Sequence, residues 1–198
     1  MSSIKAKIFN NYKYTPLPFI ALMFLFKAPN IWSLIIGLLI TSLGEIIRLW
    51  GSGYAEVHIQ PDTFKSQNSY PILAAGPFAH SRNPLYFGNI LLYFGLSLMS
   101  FALFPFLQIF VALFFYLQYS YLIKKEEANV SNVDEDYFRS VPALLPRISA
   151  FSNEQKGGIG PKNVAFSLHN GLLHESLNIK AFVFLSVTLI LIWFIGRF

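Results

Sequence analysis

With 198 residues, 54% of them hydrophobic and only 13% charged, the chain departs from ordinary soluble domains, where about a quarter of residues are charged, and reads as an integral membrane protein. Its formal net charge of +5 requires no nucleic-acid partner, because each basic residue beside an anionic leaflet gains about 1 kcal/mol. The absence of cysteine excludes disulfides, cysteine nucleophiles and thiolate metal sites.

The first apolar stretch, LPFIALMFLF (17–26), is short against the roughly 20 residues a spanning helix needs, unless it starts near Tyr12 or tilts. Lys5, Lys7 and Lys13 precede it, as in a signal peptide, but no A-x-A-like cleavage site follows, so it is expected to persist as a helix. KAPN (27–30) separates it from a second span, from about Ile31 to Trp50. That span ends in GEIIRLWGSGY (44–54), where Glu45 and Arg48, spaced i, i+3, can pair on one face with Trp50 as an interfacial anchor.

The loop that follows closes with GPFAHSRNPLYFGN (76–89). Asn-Pro predicts a helix that begins at Pro84 with Asn83 as its N-cap and Tyr86 in the first turn. Asn89 lies one turn further in, and Gly88 leaves space beside Tyr86. Residues 86–123 carry no Asp, Glu, Lys, Arg or His, enough for two spans, with a break expected near Pro105 in SFALFPF. KKEEANVSNVDEDYFRSVPALLPR (124–147) comes next. Because residues 86 and 123 end an antiparallel pair, the Arg82–Tyr86 segment and the Glu126–Glu127 pair must emerge on the same side, within reach of each other.

Further on, GGIGP (157–161) reads as a flexible connector, and FSLHNGLLHE (166–175) as polar residues beside the membrane or an amphipathic helix over the site. His169 and His174 are five apart, not the i, i+4 of a zincin pair; His58 and His80 are isolated; no metal-ligand spacing and no G-x-S-x-G elbow occurs, so no metal is expected. Residues 181–196 form the last span. The expected fold is therefore an all-α, multi-span transmembrane helical bundle of about five spans, a single integral membrane domain over 1–198. Every Lys and Arg except Lys27 and Arg197 then falls on one side, which the positive-inside rule assigns to the cytoplasm, with the N-terminus, in a bacterial inner membrane.

GPFAHSRNPLYFG, two spans, Glu-Glu and DYFRSVPALLP together resemble the isoprenylcysteine carboxyl methyltransferase and phospholipid methyltransferase superfamily of integral membrane enzymes. Its pattern runs roughly G-x-Y-x-x-x-R-H-P-x-Y-x-G, then E-E, then an aromatic segment ending V-P-x-x-x-P, and it covers about 44–147 here, leaving 148–198 as a C-terminal extension with the last span. The resemblance implies methyl transfer from S-adenosyl-L-methionine, held by cytoplasmic loops, to a lipophilic acceptor from the bilayer, with an isoprenylcysteine-like carboxylate or a phospholipid-like head group. It places the cofactor on Tyr70, Pro71, Ile72, Leu73, Phe78, Asn83, Pro84, Leu85, Tyr86 and Glu126 or Glu127, and the chemistry on Arg82, Asn83 and Glu127. Phe78 stands where the pattern has tyrosine, and Asn83 where it has histidine; asparagine donates and accepts hydrogen bonds but takes up no proton near neutral pH. A sterol-reductase-like enzyme using NADPH, and a catalytically silent protein retaining the fold, are the alternatives.

Overall fold

The computed structural model describes residues 14–55, 75–128, 135–151 and 165–197. Among them the chain is all-α: α1 (Pro16–Leu25), α2 (Ile31–Ala55), a short 3-10 helix (Gly76–Ala79), α3 (Pro84–Ser100), α4 (Phe106–Glu127), α5 (Glu135–Ser140) and α6 (Leu168–Ile195). The expected start at Pro84 and the break before Phe106 are both present. His58, GGIGP and the three N-terminal lysines lie outside the described residues.

Three helices have the length and composition to cross a membrane: Ile31–Tyr54 of α2, α4 and α6. The other two expected spans are shorter apolar helices of 10 and 17 residues. At 1.5 Å per residue these reach about 15 and 25 Å, against a hydrocarbon core about 30 Å thick. The last helix is longer than its apolar run suggested: it begins at Leu168, so HNGLLHE is its first two turns rather than a separate element. Leu177, Phe184, Leu191 and Phe194 along it are exposed, as suits a helix solvated by lipid.

The described chain divides into two compact units. The first comprises Met1–Gly44, Ile90–Leu122 and Ile179–Phe198. Its core is aromatic. Phe19 of α1 meets Phe110, Phe114 and Phe115 of α4 at centroid distances of 5.7, 4.9 and 5.3 Å, and Tyr93 of α3 stacks on Phe115 at 4.5 Å. Such pairs add about 0.5–1.5 kcal/mol each beyond area burial. The start of α2 is set by a reciprocal cap: Ser33 N–H donates to Asn30 Oδ1 (2.9 Å) while Asn30 N–H donates to Ser33 Oγ (3.0 Å).

Within this unit α2 and α3 touch backbone to backbone through Gly37 and Gly95. A Cβ on Gly37 would lie 2.6 Å from the Gly95 carbonyl oxygen, and one on Gly95 would lie 2.6 Å from the Thr41 nitrogen. Lipid gives helices no hydrophobic drive to associate, so small residues that permit close approach carry the packing. The α3–α4 turn closes its own polar groups: Gln108 Nε2 donates to the carbonyls of Ser97 (2.9 Å) and Ala102 (3.2 Å), and Ala28 N–H to that of Ser100 (2.9 Å).

The second unit, Glu45–Asn89 and Ile123–Asn178, holds nearly every residue that the sequence marks as chemically unusual.

Candidate active site

The segments around Ser81 and Ala143 are stitched together by their backbones. Arg82 N–H donates to the Pro142 carbonyl (2.9 Å), Arg147 N–H to that of His80 (2.9 Å) and Phe151 N–H to that of Ala79 (2.9 Å). Ser81 Oγ–H donates to the Leu144 carbonyl (2.9 Å), and His80 Nδ1 lies 2.9 Å from that of Arg147. VPALLP, with its two prolines, cannot continue α5 as a helix, so it follows a series of bends alongside the entry to α3. Tyr137 of α5 is buried behind them, its hydroxyl donating to the Phe78 carbonyl at 2.8 Å. Burial raises its phenol well above the ordinary value, the Arg82 charge opposes this and Glu127 adds to it, so Tyr137 remains a donor at any physiological pH.

Onto this frame the α3–α4 hairpin brings the two expected halves of the site. Arg82 forms a two-point ion pair with Glu127, Nε to Oε1 at 2.9 Å and Nη2 to Oε2 at 3.1 Å. Its Nη1 donates to the carbonyls of Phe138 (2.7 Å) and Val141 (3.2 Å), and its guanidinium lies 4.3 Å from the Phe138 ring centroid. One turn along α3, the Tyr86 hydroxyl donates to Glu126 Oε1 at 2.8 Å. The adjacent glutamates thus differ in kind: Glu127 is half-buried with both oxygens on Arg82, whereas Glu126 is exposed. Asn83 precedes α3 as expected, and its side-chain Nδ2 donates to the Ala143 carbonyl at 3.0 Å. Pro84 is buried, while Leu85 and the Phe78 ring are half-buried. Tyr70, Pro71, Ile72 and Leu73 lie outside the described residues.

A second polar cluster lies in the same unit, along the C-terminal half of α2. The Glu45–Arg48 pair expected from spacing exists only loosely, at 3.9 Å. Arg48 is held chiefly by Glu175 of α6, to which it donates from Nε (3.1 Å) and Nη2, and by Asn89 of α3, whose Oδ1 accepts from Nη1. Glu175 also accepts from Ser52 Oγ (2.5 Å) and from Asn178 Nδ2 (2.9 Å). A close approach at Gly171 makes this reach possible: a Cβ there would lie 2.9 Å from the Leu49 carbonyl oxygen, and Glu175 sits one turn further along α6. Arg48, Glu45 and Glu175 are all buried, at 7, 7 and 3% exposure.

The family model for phospholipid methyltransferase matches residues 32–133, about half the chain, and takes in both clusters except the α5 and α6 residues. The chain belongs to the phospholipid methyltransferase family. It is also similar to the nickel-cobalt-cadmium resistance protein NccN of Alcaligenes xylosoxydans xylosoxydans, 32% identical over 124 residues that make 61% of this chain and 53% of that protein. The cobalt-zinc-cadmium resistance protein CzcN of Cupriavidus metallidurans is 29% identical over 124 residues, 61% of this chain and 52% of that one. The chain spans about half the length of these curated relatives. No solved structure matches it.

For this phospholipid methyltransferase family member, the sequence reading found the Arg82–Glu127 edge and missed Glu175 and Asn178. A signal was available. An acidic residue at the head of a long apolar helix needs a buried basic partner, and Arg48 was the basic residue deepest in another span. Among the described residues no group of three or more His, Cys, Asp or Glu could hold a metal ion.

Proposed function

We propose that this family member is a membrane-embedded, S-adenosyl-L-methionine-dependent methyltransferase acting on a lipophilic or amphipathic acceptor at the cytoplasmic face of a bacterial inner membrane. The observation that carries the reading is the meeting of Tyr86 and Glu126 at 2.8 Å, accessible, beside the closed Arg82–Glu127 pair, inside the family-matched segment. The residues fit the cofactor's chemistry. Its ammonium calls for an accessible carboxylate, and Glu126 supplies one, since both oxygens of Glu127 are engaged. Its adenine and sulfonium call for aromatic faces, the part this reading gives to Tyr86 and Phe78. By the resemblance, Tyr70 to Leu73 complete the cradle.

When bound, the cofactor supplies a methyl group already activated by its sulfonium. The protein's contribution is then alignment and the exclusion of water. Arg82 has the positioning part: through Glu127, Phe138 and Val141 it ties the start of α3 to the end of α4 and to α5, fixing where Tyr86 and Glu126 meet. Asn83 donates to a backbone carbonyl and takes no proton, so in this reading it is a strut between α3 and the VPALLP segment.

Thermal unfolding of the purified protein with S-adenosylmethionine or NADPH tests this. A ligand at 100 times its dissociation constant adds about 2.7 kcal/mol, a shift of several degrees for a chain this size. The expected result is stabilisation by S-adenosylmethionine and none by NADPH. Protection by NADPH alone would replace the reading with a reductase, and protection by neither would favour a silent protein.

A further inference from the structure

Most of the exposed large apolar side chains lie along the apolar helices, as suits helices solvated by lipid, but Leu145 and Ile148 lie on no helix. Leu145 is 57% exposed and Ile148 fully so. The turn that carries Ile148 is pinned at both ends: Arg147 donates from its backbone N–H to the His80 carbonyl (2.9 Å), and Phe151 from its own to that of Ala79 (2.9 Å). Across this turn the Arg147 guanidinium donates to the Ser140 carbonyl (2.8 Å) and to Ser149 Oγ (2.9 Å), while Arg139 stands exposed on α5. Residues 137–151 contain these two arginines and no acidic residue. The place is a membrane edge. Arg82 joins Glu127, the last residue of α4, to the Phe138 and Val141 carbonyls, so the segment begins directly beside the end of a helix able to cross a membrane.

We propose that residues 139–151 form an interfacial anchor that seats on the bilayer surface, with Leu145 and Ile148 entering the head-group region and Arg139 and Arg147 meeting anionic phospholipid. The chemistry selects the partner. A pinned apolar tip offers side chains to the acyl boundary, and guanidinium groups beside it offer donors and charge to phosphate. A second copy of the chain fits less well, since an isologous contact through this segment would set its arginines against their own kind, with no acidic residue in the segment to offset them. Through its bonds to Ala79, His80, Arg82 and Asn83 the segment carries this seating to the residues around the proposed cofactor site. That consequence rests on the methyltransferase reading; the seating itself does not.

Because the chain has no cysteine, Ile148→Cys, Leu145→Cys and Glu135→Cys each give a single site for the fluorophore NBD. Glu135, exposed on α5, is the water-facing reference. The labelled full chains would be placed in phosphatidylcholine nanodiscs with or without phosphatidylglycerol, and quenched by lipid bearing a doxyl group near its head group. In the anionic discs NBD at Ile148 and at Leu145 is expected to emit further to the blue than at Glu135 and to be quenched at least about twofold more, as entry of roughly 5–10 Å into the interface requires. Quenching at Ile148 should fall in pure phosphatidylcholine, and Arg139→Gln should remove most of that difference, because attraction to anionic lipid adds to apolar burial. Quenching no greater at Ile148 and Leu145 than at Glu135 overturns the seating. A blue-shifted but unquenched probe overturns it too, since that would put protein, such as a second copy, over the turn. Quenching indifferent to phosphatidylglycerol overturns the assignment of anionic lipid. S-adenosylmethionine binding in the same nanodiscs decides the methyltransferase reading separately.

Discussion

Arg48→Ala is expected to be the most damaging single substitution in the second unit, lowering stability by about 3–5 kcal/mol, the range for breaking a buried ion pair from one side. The mechanism is specific. Removing Arg48 leaves Glu45 and Glu175 buried with no cation, and it strips Asn89 of its donor. Glu175→Ala should cost a similar amount, since it orphans Arg48, Ser52 and Asn178 together. If charge imbalance is the cause, the triple variant Arg48→Met, Glu45→Gln, Glu175→Gln should recover most of the loss, because neutral replacement of a buried ionic cluster is often tolerated. Thermal unfolding in detergent measures all three. A triple variant no more stable than Arg48→Ala would show that the cluster acts through shape rather than charge.

The second large effect is expected at Gly95→Ala, and its sign is the informative part. Helix propensity alone favours alanine by about 1 kcal/mol. Here the added methyl would sit 2.6 Å from the Thr41 nitrogen and 2.7 Å from the Gly37 carbonyl oxygen, both backbone atoms that no rotamer change can move aside. The helices must separate, and the substitution should destabilise by at least the ~1–3 kcal/mol of ordinary overpacking, lowering Tm by roughly 3–10 °C. Gly196→Ala is the control: its Cβ would meet nothing nearer than the Ile192 carbonyl oxygen at 3.3 Å, and a change within about 2 °C is expected. Unfolding curves that show Gly95→Ala more stable than wild type would mean that α2 and α3 are not in backbone contact.

The contrast between these two regions explains what the sequence discloses. Features written in local chemistry were legible. Asn-Pro starts α3 at Pro84, the turn before Phe106 falls at Pro105, and the ends of the resulting hairpin bring Arg82 to Glu127 and Tyr86 to Glu126. Features that depend on partners distant in sequence were not. Glu45 and Arg48 invite pairing because they are three residues apart, yet Arg48 prefers Glu175, 127 positions away, in a segment that reads from sequence as polar residues beside the membrane or a separate amphipathic helix. Asn83 reads as the residue before α3, but the donation of its Nδ2–H to Ala143 depends on VPALLP running beside it. The Gly37–Gly95 contact leaves no trace in hydropathy, since a glycine in an apolar helix looks the same whether it faces lipid or a neighbouring backbone. Which of the two adjacent glutamates is accessible is likewise decided by Arg82 and not by the Glu-Glu pair itself.

That last distinction gives the most direct test of the proposed site: equilibrium binding of S-adenosylmethionine to wild type, Glu126→Gln and Glu127→Gln in one detergent. The account predicts that wild type binds; that Glu126→Gln weakens binding at least about tenfold with Tm unchanged, as loss of a charge-assisted contact to the ligand requires; and that Glu127→Gln instead lowers Tm by loosening Arg82. Wild type that fails to bind, or Glu126→Gln that binds as well as wild type, would contradict it.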